Sequence, residues 1–136
     1  MSREARNLEE CKRLYAVCAA GDWDAVSDML ADDFIATEAP GLPFEGTYPG
    51  KTGLRDLFTR VMGMMAVEGM ELVEMTAGGD WVIVLVTLRV RDDAGVFPIE
   101  LAEATRFGAD GKVAEIKPYY FDPALVHRAV AAKAAA

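Results

Sequence analysis

Histidine is nearly absent: His127 is the only one in the chain. It falls in the C-terminal tail helix, where a surface residue is expected rather than a base. A Ser/His/Asp triad, a histidine metal cluster and a His-dependent dehydratase site therefore have no support. Cysteine is scarce as well. Cys11 and Cys18 are seven apart on an expected helix, about 10 Å at 1.5 Å per residue, too far for a disulfide. They read as two small core hydrophobes in a reducing cytosol, and a cytoplasmic location is expected. Basic side chains never cluster, and the net charge is −8, which argues against nucleic acid or an anionic membrane as partner. No unbroken apolar run approaches the ~20 residues of a membrane span, and no apolar segment of a signal peptide is visible near the N-terminus. The glycine patterns of dinucleotide and P-loop phosphate sites are missing, so no cofactor is expected. Asp92 and Asp93 sit in a turn without further ligands, so no metal is expected either.

What is present is a chain of 136 residues, 52% of them hydrophobic and 26% charged, enough to bury one core in a single domain over 1–136. Leu8, Cys11, Leu14, Tyr15, Cys18 and Ala19 recur at helical spacing, which predicts a helix over 4–20. Gly21 stops it, and Asp22 caps a second helix over 23–30. A strand over 33–38 follows, then a loop over 39–50 with three prolines and three glycines. "KTGLRDLFTRVMGMM" predicts a third helix, with Leu54, Leu57, Phe58, Val61 and Met62 on one face and Thr52 as cap. The period then changes to two, predicting strands near 67–77, 80–91, 96–107 and 112–121. "AGGD", "RDDAG" and "GADG" between them read as hairpin turns. The order predicts an α+β domain with a mostly antiparallel sheet.

Alternation along the strands places acids on apolar faces. In "DDFIATE", Glu38 shares parity with Phe34 and Ala36, although a strand's last residue can escape to solvent. In "FPIELAEATRF", Phe97, Ile99, Leu101, Glu103, Thr105 and Phe107 share one face. A carboxyl there is partly desolvated, which favours its neutral form. The alternatives are a slipped register or bulge that turns Glu103 outward, or a pairing with an arginine such as Arg89. In "VAEIKPYYFDP", Ile116, Pro118, Tyr120 and Asp122 share a face. Tyr120 then fills the same interior as Glu103, and Asp122 is either a reserve acid/base or a turn-former before Pro123. In "DWVIVLVTLRVR" both faces start apolar, and with the small outer Ala102 and Ala104 this predicts a homodimer through the outer sheet face.

"AAGDWDAVSDMLADDF", "GTYPGKTGLRDLF" and "EATRFGADGKVAEIKPYYFDP" together resemble the SnoaL-like branch of the nuclear transport factor 2-like superfamily, which includes ketosteroid isomerases and polyketide cyclases. The resemblance covers nearly the whole chain. It implies a curved sheet wrapped by three N-terminal helices into a cone with an internal pocket. Matched residue by residue to ketosteroid isomerases, Glu38 takes the place of the catalytic base. Glu103 takes that of a protonated acid that donates to the oxyanion, a role the enzyme family is well known for. Leu14 stands where those enzymes carry an oxyanion tyrosine. Tyr15, about 100° further round the helix, is not expected to replace it. Tyr120 stands at an aromatic wall position and Phe58 at a pocket tyrosine.

Two functions follow as expectations. The first is an isomerase or cyclase acting by proton transfer next to a carbonyl, with Glu38 as base, Glu103 as oxyanion donor, Tyr120 assisting and Asp122 in reserve. Tyr15, Phe34, Tyr48, Phe58, Met62, Val84 and Leu101 would contact an apolar small-molecule ligand. The second is a non-catalytic hydrophobic-ligand-binding or dimeric scaffold module of the same fold.

Overall fold

The computed structural model describes residues 1–136. Helix α1 (Arg3–Ala19) starts at Ser2, whose hydroxyl accepts from the Ala5 N–H. Helix α2 (Trp23–Met29) starts at Asp22, whose carboxylate accepts from the Ala25 N–H, as its sequence predicts. Strand β1 (Leu30–Glu38) leads through a short loop to β2 (Gly46–Pro49), and α3 (Gly53–Met64) follows. Four long strands come next: β3 (Val67–Gly78), β4 (Trp81–Asp92), β5 (Gly95–Phe107) and β6 (Val113–Tyr120). Helix α4 (Pro123–Ala135) closes the chain.

The six strands form one sheet in the order β2-β1-β6-β5-β4-β3. Neighbours are antiparallel except β1 and β6, which run parallel. Two expectations need correction. The segment 39–50 is not all loop, because Gly46–Pro49 pairs with β1 as an edge strand. A short edge strand tolerates the glycine and proline that made it read as loop. Thr52 precedes α3, but its hydroxyl bonds the Asp56 carboxylate rather than a backbone N–H.

Register shifts interrupt β1, β3 and β5, and such bulges bend the sheet. Helices α1, α3 and α4 pack on its concave face. Val82, Val84, Val86, Leu88 and Val90 are the concave side of β4 and are buried, with Phe34, Ile99, Phe107, Leu14 and Val126 in the same core. The outer face is not covered within the chain: Val73, Leu85, Val96 and Tyr119 are exposed there. Helix α3 is seated on β2 by Gly53, where a Cβ would lie 2.2 Å from the Tyr48 carbonyl oxygen, so no larger residue allows this approach.

Candidate active site

Strand order decides which inward acids meet. Ala36 of β1 lies beside Ile116 of β6, and continuing that parallel register sets Glu38 beside Pro118. Pro118 in turn pairs with Glu103 of β5. Glu38 and Glu103 therefore stand two strands apart on the concave face, roughly 10 Å between backbones at the usual strand spacing. The compact Pro118 ring is all that separates them along the sheet. Tyr120 is two residues beyond Pro118 on the same face and pairs with Leu101.

The two carboxyls have different surroundings. Glu38 is only 2% exposed, and its Oε1 is buried with no hydrogen-bond partner. Burial raises its pKa from an ordinary 4.5 to about 8, with the nearby Glu103 charge adding to the rise. Glu103 is enclosed by protein except where it meets a small cavity. Burial raises its pKa too, and a hydrogen bond from Tyr15 partly opposes that rise. The Tyr15 hydroxyl donates to Glu103 Oε1 at 2.6 Å. Burial, then the Glu38 and Glu103 charges, pushes the Tyr120 hydroxyl far above its ordinary range, so it stays a neutral donor.

The cavity beside Glu103 measures about 80 Å³ and is lined by Leu14, Tyr15, Cys18, Leu54, Met70, Glu103 and Ile116. It is apolar apart from the carboxyl, the phenol and the thiol. Burial, with the Glu103 charge adding, pushes the Cys18 thiol up to about 12, which makes it inert as a nucleophile. Two larger depressions, about 570 and 580 Å³, both reach Tyr120. One is on the outer sheet face by Val73, Leu85 and Phe121, and the other lies next to Glu38, between Thr37, Ala39, Pro118 and Pro123.

Several expectations change against this geometry. Tyr15 does reach the acid, although it is one residue on from the matched position. The α1 stripe is wide enough to present both Leu14 and Tyr15 to the cavity, and its flanking Cys11 and Cys18 were the available signal. Arg89 does not pair with Glu103, because it lies on the outer face against Glu71. Asp122 does not face the site. It is exposed and caps α4 by accepting from the Ala124 N–H, the turn-forming alternative. Phe34 and Val84 are fully packed core rather than cavity lining, and Leu101 is buried beside them. Tyr48 is also buried and spends its hydroxyl on the Phe44 carbonyl. Phe58 and Met62 are 42% and 37% exposed, Phe58 packing on Trp23 instead. Outside the site, exposed His127 places Nε2 2.8 Å from the Gly41 carbonyl and ties α4 to the β1–β2 loop. No cluster of His, Cys, Asp and Glu suits a metal ion, and no helix is long and apolar enough to cross a membrane.

A sequence profile of the SnoaL-like domain matches residues 11–116. No curated protein sequence matches the chain. Among solved structures, an NTF2-like protein from Burkholderia thailandensis E264 is 25% identical, with a TM-score of 0.76 over 90% of this chain and 95% of its own. Bal32a, from a soil-derived mobile gene cassette, is 15% identical with a TM-score of 0.82, covering 95% and 99%. TerC, co-crystallised with polyporic acid, is 21% identical with a TM-score of 0.75, covering 93% and 98%. At these identities the likeness is one of fold.

Proposed function

We propose that this chain, which belongs to the SnoaL-like domain family, moves a proton next to a carbonyl in a small organic ligand. The observation that carries the reading is the contrast between its two inward carboxyls. Glu38 has a buried oxygen with no partner. Glu103 is oriented by Tyr15 and opens on an apolar cavity. In the proposed reaction the Glu38 carboxylate takes the α-proton, and neutral Glu103 donates a hydrogen bond to the enolate oxygen. Tyr15 fixes the Glu103 carboxyl, and Tyr120 is a second neutral donor nearby. Return of the proton to another carbon makes the protein an isomerase. Attack of the enolate on a second carbonyl makes it a cyclase.

The test is exchange of the α-protons of cyclohexanone for deuterium, wild type against Glu38→Gln. The reading expects exchange that rises with pH through about 8, where Glu38 ionises, and that is lost in the variant. Equal rates would exclude Glu38 as the base. One observation favours a second reading, a non-catalytic binding module: Glu38 does not itself line the cavity. That reading expects binding without exchange.

The outer sheet face supports self-association. Its exposed centre is apolar, at Val73, Leu85 and Tyr119. Some of the charges around it are paired within the chain, as Glu71–Arg89 and Arg106–Glu115, while Glu100 stands at its edge. A second copy meeting the same face in two-fold fashion covers the apolar residues.

A further inference from the structure

We infer that Met70 is the specificity-determining residue of the Glu103 cavity, a flexible gate that admits only the small end of a ligand. The inference deepens the proton-transfer reading and rests on it for the carbonyl. The starting observation is size. About 80 Å³ is roughly half the ~150 Å³ apolar cavity that holds a benzene ring. A fused-ring ligand does not fit, whereas the reacting end of a smaller ring comes near to filling the space.

The second observation is where the wall is soft. Leu14 is 2% exposed and Ile116 5%, both fixed in the core, whereas Met70 is 47% exposed. Met70 belongs to β3, the edge strand, and pairs with Leu88, while Leu72 pairs with Val86. Leu88 and Val86 face the concave side, so Met70 and Leu72 do too. Both are exposed at this edge of the sheet, Leu72 at 42%. The mouth of the cavity is therefore the concave side of β3. A register shift between Val67 and Gly69 interrupts the ladder just before Met70, the kind of irregularity that re-aims a neighbouring side chain. Gly69 itself offers no side chain to hold its neighbour. An unbranched thioether with three rotatable bonds is well suited to swing there. With Met70 swung out, the body of a longer ligand lies along Leu72 while its carbonyl stays at Glu103.

The test is binding of two ketones, cyclopentanone and 1-tetralone, followed by the methyl resonances of methyl-labelled methionine. Wild type is expected to prefer cyclopentanone. Met70→Ala is expected to gain affinity for 1-tetralone by about tenfold, the low end of what a small size change in an apolar pocket is worth. Met70→Leu, which keeps the bulk, is expected to follow wild type. Because Met70 is exposed, neither variant disturbs the core. An unchanged ratio of the two affinities in Met70→Ala, or no binding of either ketone to either protein, would overturn the inference. Deuterium exchange of the bound ketone reports on proton transfer alone, so the gate stands or falls separately from it.

Discussion

Replacing Glu38 by glutamine keeps the shape of the side chain and removes a titrating group from an apolar strand face. An acid whose folded pKa lies above its unfolded value binds more protons folded than unfolded in the interval between the two. Its contribution to stability is complete below the unfolded value and is lost as pH rises through the folded one. For Glu38 the interval runs from an ordinary 4.5 to about 8. At 1.36 kcal/mol per pKa unit, wild type loses about 4 kcal/mol between about pH 5 and pH 9 through this one group. That is a large share of the 5–15 kcal/mol typical of a domain, roughly. The glutamine side chain has nothing to ionise. Urea unfolding across this pH range should therefore show the two proteins converging at low pH, with the variant ahead at high pH. Parallel stability curves would refute the placement of a protonated Glu38 in the core.

Three more outcomes follow from single contacts. Tyr15→Phe removes the 2.6 Å bond to Glu103; because that bond opposes the rise in the Glu103 pKa, the carboxyl should titrate still higher, and stability should fall by about 1–3 kcal/mol in chemical denaturation. Gly53→Ala forces a Cβ to 2.2 Å from the Tyr48 carbonyl oxygen, so α3 must shift on β2 and stability should fall by about 1–3 kcal/mol of overpacking, seen as a lower Tm. Leu85→Lys puts a charge in the apolar centre of the outer face, and sedimentation should find a homodimer in wild type and a monomer in the variant.

The period-two segments and their glycine turns made four long strands legible in the sequence, and helical stripes gave α1 and α3. Parity gave the faces of Glu38 and Glu103, because a strand's alternation survives whatever its neighbours are. It could not give their adjacency, which depends on β1 running parallel to β6, a pairing of residues some eighty apart in the chain. Alternation also cannot separate a wall from a core. Phe34 and Val84 are apolar and inward for packing reasons alone. Met70 was missed for the opposite reason. Its strand is broken by two register shifts, between Val67 and Gly69 and between Leu72 and Glu74, so a simple period-two reading loses track of which side chains face the cone. The Asp122 carboxylate followed the parity of Tyr120 on paper, but the strand ends at Tyr120 and a helix begins at Pro123, which changes the direction of every later side chain.

The central claim is that two inward carboxyls share one face with raised and separate affinities for a proton. Carbon-13 NMR of the glutamate side-chain carboxyls, titrated from about pH 3 to pH 10, measures this directly. The account predicts that the Glu38 resonance moves with a midpoint near 8 and that Glu103 also titrates above the ordinary range, its position shifting in Tyr15→Phe. Both carboxyls titrating near the ordinary 4.5 would contradict it.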